Sequence, residues 1–382
     1  MTNILELLKN EKVEWKKLGE VCEFNRGKTI TKKNAIAGDI PVIGGGQKPA
    51  YYHNESNREG ITITVAGSGA YAGFVSYWEI PIFLSDAFSV EPSQELNKRY
   101  LFHWLLQNQS RIYELKQGSG VPHVYGSDLA KFEIPVPSLE IQEKIVKILD
   151  KFTNYVMELQ SELQSRTKQY TYYRDKLLSE EYLTKVTKEM EEDRKVEILS
   201  LGDIGKINMC KRILKSQTLS EGDIPFYKIG TFGKKADAYI SSDLFEEYKE
   251  KYSYPKKGEI LLSASGTIGR TIIFNGEDSY YQDSNIVWLS HDEDKILNSY
   301  LYYCYQIINW NPSTGGTIKR LYNYNLININ IVVPPLHVQQ HVVAILDKFD
   351  TLVNDIKEGL PKEIEQRQKQ YEYWRSVLLT FK

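Results

Sequence analysis

The chain repeats itself. "IPVPSLEIQEKIVKILDKF" (134–152) aligns without a gap on "IVVPPLHVQQHVVAILDKF" (331–349), 197 positions further on. "RTKQYTYYRDKLLS" (166–179) aligns on "RQKQYEYWRSVLLT" (367–380) at an offset of 201. Two matches in the same order mark an internal duplication. Any fold for this chain must therefore place two copies of one element in equivalent settings.

The copies read as helices. Ile141, Ile145, Ile148, Phe152, Val156, Leu159, Leu163, Tyr170, Tyr173 and Leu177 advance by three, four or seven, which is one stripe on a helix. Ser138 after Pro137 predicts the N-cap, and the helix extends to about Glu180, roughly 60 Å at 1.5 Å per residue. A stripe that long needs a partner helix, and the second copy is the predicted one. Its stripe runs Val338, Val342, Ile345, Phe349, Leu352, Ile356, then Ile364, Tyr371, Trp374, Leu378. The change of offset places four extra residues near "KEGLPKE". Gly359 and Pro361 predict a break there, with Pro361 opening the next helical segment. Four residues is close to one turn, so the stripe keeps its face.

Weaker matches precede each helix. "LGEV" (18–21) pairs with "LGDI" (201–204), "GDIP" (38–41) with "GDIP" (222–225), and "GSGAYAG" (67–73) with "SASGTIG" (263–269). "SDAF" (85–88) parallels "QDSN" (282–285), setting Asp86 against Asp283, and "YLF" (100–102) parallels "YLY" (300–302). Short apolar runs such as "ITITV" and "EILLS" predict strands, and "RYLFHWLLQNQSRIYEL" predicts a helix. The predicted layout is a head over 1–137, a long helix over 138–194, a second head over 195–334 and a second helix over 335–382. The fold class is α+β: two mixed α/β heads alternate with two long helices that pair as an antiparallel coiled coil, with pseudo-twofold symmetry. Similar helices point to two copies of one partner or to a pseudo-twofold core. Dissimilar heads point to two different ligands.

Composition narrows the function. Mean hydropathy is −0.43 and no apolar run approaches membrane length. "MTNILELLKN" is too short and too acidic for a signal peptide. Cys22, Cys210 and Cys304 form no CxxC pair, which argues against a disulfide framework or a zinc site and fits a reducing cytosol. Catalytic signatures are missing. "RGKT" (26–29) lacks the leading glycine of a phosphate loop, because Cys22 holds that position. In "GSGAYAG" the last glycine comes one residue late for a dinucleotide turn. "NPST" and "VPPL" fail the Asn/Asp-Pro-Pro-aromatic corner of adenine methyltransferases. "EWK" and "EYK" lack the companion PD of metal-dependent nucleases. "HVQQH" sets His337 and His341 at zinc spacing, but the first copy carries Glu140 and Lys144 there, so a solvated face is the simpler reading and no metal site is assigned.

A net charge of −2 argues against an all-over basic surface but not a local one. "FNRGKTITKKNAIAG" carries Arg26, Lys28, Lys32 and Lys33 without an acid. "GKINMCKRILKSQTLS" carries Lys206, Lys211, Arg212 and Lys215, again without one, at the same place in the second head. Paired acid-free segments suit phosphate contacts. "GGGQKPAYYH" offers close backbone approach through Gly44, Gly45 and Gly46, and donors or aromatic faces from Gln47, Lys48, Tyr51, Tyr52 and His53. Ser68 and Tyr71 in "GSGAYAG", Ser265, Thr267 and Arg270 in "SGTIGR", and Lys319, Arg320, Tyr322 and Asn323 in "TIKRLYNYN" complete the DNA-contact candidates. The structural alternative is that the glycines make tight turns and the 27 tyrosines pack in strands.

The whole chain resembles the specificity subunit of type I restriction-modification systems. The resemblance is carried by "PSLEIQEKIVKILD" and "PPLHVQQHVVAILD", the "LGE" and "LGD" openings of the heads, and "SGTIGR". It implies two target recognition domains that each read one half of a bipartite, asymmetric double-stranded DNA site. The paired helices fix the spacer and dock two methyltransferase subunits, here through Leu139, Gln142, Ile145 and Leu149 and through Leu336, Gln339, Val342 and Leu346. Adenine N6 methylation, with S-adenosylmethionine, and ATP- and Mg-dependent translocation and cleavage belong to modification and restriction subunits. This chain would have no cofactor and no catalytic residue of its own, and would work in a prokaryotic cytoplasm away from membranes. A two-headed scaffold for proteins or glycans is the alternative, and a self-sufficient nuclease or methyltransferase conflicts with the missing motifs.

Overall fold

The computed structural model describes Glu6, Leu8 and residues 11–190, 194–313, 319–355 and 358–381. The chain divides into two compact units, Met1–Glu162 with Pro361–Lys382, and Leu163–Leu360. The helices that organise them are α1 (Lys98–Gln107), α2 (Leu139–Leu177), α3 (Glu180–Glu189), α4 (Asn298–Ile307), α5 (Leu336–Asn354) and α6 (Leu360–Leu379).

The first head contains β1 (Glu14–Lys17), β2 (Cys22–Arg26), β3 (Ile40–Ile43), β4 (Tyr51–His53), β5 (Thr62–Ala66), β6 (Val75–Trp78), β7 (Phe83–Leu84), β8 (Ala87–Pro92) and β9 (Glu133–Val136). They form a four-stranded sheet in the order β2-β8-β5-β6, a three-stranded sheet β4-β3-β7, and the pair β1-β9. Among its described strand pairs, only β3 and β7 run parallel. β5, "TITVA", is buried at every residue, so it reads as an unbroken β-branched run rather than an alternating one.

The second head contains β10 (Glu197–Ser200), β11 (Lys206–Asn208), β12 (Ile224–Tyr227), β13 (Tyr239–Ile240), β14 (Ile260–Ser263), β15 (Thr271–Ile273), β16 (Tyr280–Tyr281), β17 (Ile286–Ser290) and β18 (Asn330–Val333). Its sheets are β11-β17-β14-β15, β13-β12-β16 and β10-β18, which is the order of the first head strand for strand. A helix at Ser242–Lys251 is added between β13 and β14. The heads therefore diverged in sequence around one topology.

Each unit buries a helix segment from both copies. In the first, Ile141, Ile145 and Leu149 of α2 share a core with Tyr371, Leu378 and Leu379 of α6. The segments run antiparallel: Asp150 is linked to Tyr371 through His103, whereas Tyr155, later on α2, lies under Arg367, earlier on α6. In the second, Tyr170 and Leu177 of α2 and Leu183 and Val186 of α3 share a core with Val338, Val342, Leu346 and Val353 of α5. The Tyr170 hydroxyl donates to Asp350 at 3.2 Å and the Tyr173 ring stacks on Phe349 at 5.6 Å, again antiparallel. The stripe is thus buried against the partner copy, as its length demands.

Two interruptions shape these helices. α2 stops at Leu177, short of Glu180, because the Ser179 hydroxyl accepts from the Tyr182 amide at 3.3 Å and caps α3, with Glu180 and Glu181 in its first turn. In copy two the break falls at Gly359, and Pro361 sits in the first turn of α6. Gly359 is buried with its amide on the Asp355 carbonyl at 3.0 Å, and a Cβ there would run into the Thr351 carbonyl oxygen. Ile356 lies outside the described residues.

The repeated helix starts join each head to its helix in the same way. Gln142 accepts from the Asn97 amide (2.7 Å) and donates to the Glu95 and Pro137 carbonyls (2.9 and 2.8 Å). Gln339 accepts from the Leu297 amide and donates to the Lys295 and Pro334 carbonyls, all at 2.8 Å. Tyr100 and Tyr300 donate to the Pro135 and Val332 carbonyls at 2.9 Å. Asp150 receives Arg99 and His103 of α1, and Asp347 receives the Tyr303 hydroxyl of α4. Gln142, Ile145, Leu149, Gln339, Val342 and Leu346 are each 0% exposed. Within each unit the head and the neighbouring helix segment cover these six side chains of the partner-docking set, so they present no surface there. Of the eight, Leu139 is exposed and Leu336 half-buried.

Candidate nucleic-acid interface

In the first head, loops from distant strands meet at one place. After β2 the chain turns back, with Gly27 donating to the Ala87 carbonyl and Lys28 to the Leu84 carbonyl, both at 2.9 Å. The Tyr51 hydroxyl holds the Ile30 carbonyl at 2.6 Å. A Cβ at Gly45 would run into the Ser68 carbonyl oxygen, so glycine is what lets the loop after β3 lie against the loop after β5. The Ser68 hydroxyl donates to the Asp86 carboxylate, and Gly67 donates to the Asp86 carbonyl at 3.1 Å. Gly69 and Val124 tie this turn to the 121–126 loop through the Pro122 and Gly67 carbonyls (2.9 and 3.0 Å). The result is a cleft of about 230 Å³ lined by Arg26, Asp86, His123 and Tyr125 over Phe24 and Phe88.

The second head repeats the arrangement. The Ser265 hydroxyl donates to Asn285 Oδ1 at 2.6 Å, Ala264 donates to the Asn285 carbonyl at 2.8 Å, and Leu321 to the Ala264 carbonyl at 2.8 Å. Ser68 bridges His123 as Ser265 bridges Arg320. A cleft of about 120 Å³ is lined by Met209, Ser284, Arg320 and Tyr322 over Ile207 and Leu326. This register sets Asp86 against Asn285, which corrects the pairing with Asp283 suggested by "SDAF" and "QDSN".

The charges and rings around these clefts are accessible. Arg26, Lys28, Lys32, Lys33, Gln47 and Lys48 are exposed, as are Lys206, Lys211, Arg212, Lys215, Thr267 and Lys319. Among the described residues none of these cations has a carboxylate partner. Tyr52, Tyr71 and Tyr322 are 57%, 46% and 49% exposed, so these rings are not packed into the core. Tyr280 and Tyr281 are buried in β16, and Tyr300, Tyr303 and Tyr305 in α4. Gly45 and Ser68 are half-buried.

Some candidates are engaged within the head. Ser265 is buried on Asn285. Arg270 spends a guanidinium nitrogen on the Phe232 carbonyl at 2.7 Å. The Tyr51 hydroxyl is used on Ile30, and His53 is buried against the Ile36 backbone. Lys211 lies over the Tyr252 ring, beside the helix the first head lacks, and not among the cleft residues. Thr317 and Ile318 lie outside the described residues. His337 and His341 are exposed, and among the described residues no group of three His, Cys, Asp or Glu is placed to hold a metal. No described helix is long and apolar enough to cross a membrane.

Sequence reasoning missed His123 and Tyr125. The signal was available. The 197-residue offset extends upstream to set "HVYG" (123–126) on "RLYN" (320–323).

The family model for the type I restriction modification DNA specificity domain matches twice, at residues 10–169 and 193–366. A protein of Haemophilus influenzae, named provisionally as a type I restriction enzyme specificity subunit, is 47% identical over 100% of this chain and 98% of its own length. The EcoR124I/EcoR124II specificity subunit of Escherichia coli is 31% identical over 100% of this chain and 97% of its own. In fold the chain is similar to the crystal structure of a type I S subunit from M. genitalium, with a TM-score of 0.61 at 19% identity over 97% of both chains. It is also similar to a chain solved in a study of assembly and conformational transition in the type I system, with a TM-score of 0.52 at 18% identity over 96% of this chain and 97% of that one. Two heads of one topology with matching loop clefts, joined to duplicated helices and matched end to end by these relatives, make the chain a member of the type I restriction-modification DNA specificity subunits.

Proposed function

We propose that each head reads one half of a bipartite, asymmetric double-stranded DNA site through the loops around its cleft. The helical segments set the spacing between the half-sites and dock two methyltransferase subunits, which bring S-adenosylmethionine and methylate adenine at N6. Restriction subunits that use ATP and Mg complete the complex. As a specificity subunit the chain supplies recognition and not catalysis. The observation that carries this reading is that two clefts share one backbone register while the side chains lining them differ. A shared scaffold with divergent linings suits two different base sequences.

Phosphate contacts fall to Arg26, Lys28, Lys32, Lys33 and Lys48 in the first head, and to Lys206, Lys211, Arg212, Lys215 and Lys319 in the second. Base and ring contacts fall to Gln47, Tyr52, Tyr71, Thr267, Arg320 and Tyr322. Docking moves from the buried residues to their half-buried and exposed neighbours. In the first unit Ile148, Phe152, Tyr155, Lys147, Lys151 and Arg367 line an apolar groove of about 520 Å³. The duplication repeats its apolar pair as Ile345 and Phe349, which lie in the second unit.

The test is DNA binding by the specificity–methyltransferase complex across salt concentrations. Replacing Lys28, Lys32 and Lys33 by alanine is expected to weaken binding to every duplex alike and to flatten the log–log salt slope by about one unit for each phosphate no longer neutralised. An unchanged slope would remove these lysines from the interface. The scaffold reading predicts no salt-dependent DNA affinity for the wild-type complex at all.

A further inference from the structure

The two clefts differ in one chemical respect that their shared register makes comparable. In the second head Asn285 Oδ1 is fully used: it accepts from Ser265 Oγ at 2.6 Å and from Arg320 Nη2 at 2.5 Å. Both bonds use Oδ1, so the Asn285 amide nitrogen is not spent on either, and the Arg320 guanidinium keeps its other donors. No carboxylate pairs with Arg320 among the described residues. The lining of this cleft presents donors. In the first head the same backbone position carries Asp86, whose Oδ2 accepts from Ser68 Oγ. Its second carboxylate oxygen is left as an acceptor, and the residue matching Arg320 is His123, whose ring stacks on exposed Tyr125 at 6.0 Å. At this matched position the first cleft presents an acceptor, while Arg26 supplies donors from β2 elsewhere in the lining.

We infer that Asp86 with His123, and Asn285 with Arg320, are matched specificity determinants of opposite hydrogen-bond polarity. Each reads a single base pair at the equivalent place in its own half-site. Arg320, with the Asn285 amide, reads the acceptor edge of guanine, N7 and O6. Asp86 reads an exocyclic amino group, N4 of cytosine or N6 of adenine. Arg320 is suited to base reading rather than phosphate contact. It is half-buried, and its orientation is fixed by Asn285 and by backbone bridges to Ser265 and Ser313. The phosphate candidates are long, exposed cations. The inference rests on the proposed DNA-reading function and assigns the polarity of one position in each half-site.

The test is mapping of methylated adenines in cells carrying the cognate methyltransferase, with wild-type, R320Q or D86N chains. The wild-type motif comes first: if the chain changes no methylation, the proposed function itself fails. Given a wild-type motif, R320Q is expected to relax one guanine position of one half-site by about ten- to a hundredfold, leaving the other half-site as it was. D86N is expected to relax one amino-bearing base of the opposite half-site only. The unaltered half-site in each variant reports that the chain still folds and assembles. A motif unchanged at every position in R320Q overturns the inference. Should a variant abolish methylation, binding of the purified complex to duplexes changed one base pair at a time decides. Selective loss of discrimination at one pair supports the inference. Uniform weakening with a shallower salt slope makes Arg320 a phosphate contact and overturns it.

Discussion

Gln142 and Gln339 show how a few residues fix the joint between head and helix. Each has both ends of its amide satisfied by backbone groups and is 0% exposed. Truncation to alanine leaves one amide and two carbonyls without partners in a buried place. Each substitution should therefore cost about 1–3 kcal/mol in chemical denaturation of its unit. No loss for either would mean that the joint is not held there. His103 gives a second prediction. It donates through Nε2 to Asp150 and accepts at Nδ1 from the Tyr371 hydroxyl, which is the neutral tautomer. Burial pulls its pKa below the ordinary 6.5, against the upward pull of Asp150. Burial alone would raise Asp150, but the bonds from His103 and Arg99 outweigh it and hold that carboxyl below the ordinary 3.8. Both groups bind fewer protons folded than unfolded, so their stabilisation is complete above the unfolded values and is lost as pH falls through the folded ones. The first unit should lose stability as pH falls below the ordinary imidazole value of 6.5, and H103Q should flatten that loss. Equal losses in wild type and H103Q would contradict the assignment. The second unit has Tyr303 on Asp347 at this place, a pair with no histidine in it.

At the scale of elements, the duplicated helices were the most legible part of the sequence. A stripe of three- and four-residue steps has one physical solution, burial against a partner, and the second copy carries the matching period. The predicted break at Gly359 and Pro361 followed from their backbone chemistry. The end of α2 at Leu177 was harder to see, because the stripe continues through Leu178 and only the Ser179 cap stops the helix. What the pattern did not reveal is that the repeated faces point inward. Gln142, Ile145 and Leu149 look like a shared docking motif because they repeat, yet repetition records a shared internal joint equally well. The docking prediction therefore falls on the neighbouring Phe152 and Phe349. Phe152→Glu or Phe349→Glu should abolish co-purification of methyltransferase at a temperature where each variant remains folded, since both rings also pack on their own unit, and retained co-purification with both would refute the groove. Deleting 359–362 should alter spacer length or assembly and keep both half-site sequences, and a changed half-site would contradict the division of labour between helices and heads.

At the scale of the whole molecule, the heads keep one strand order while their loops diverge, so topology could not be derived from either head alone. The weak matches "LGEV"/"LGDI" and "GDIP"/"GDIP" anchored the comparison, but the cleft appears only when Ser68, Asp86 and His123 are brought together from separate loops. Individual side chains divide for the same reason: exposure separates Lys28 and Tyr322 from Ser265 and Arg270, and the sequence carries no record of which hydroxyl or guanidinium is already occupied. Replacing residues 1–137 by the head of a related subunit should change one half-site and leave the other. The central claim, that this chain directs methylation to a divided DNA site, is tested most directly by mapping N6-methylated adenines across the genome of the host with and without its gene. The account predicts that methylation at one asymmetric motif, two short half-sites around a fixed gap, disappears on deletion. An unchanged set of methylated adenines would contradict it.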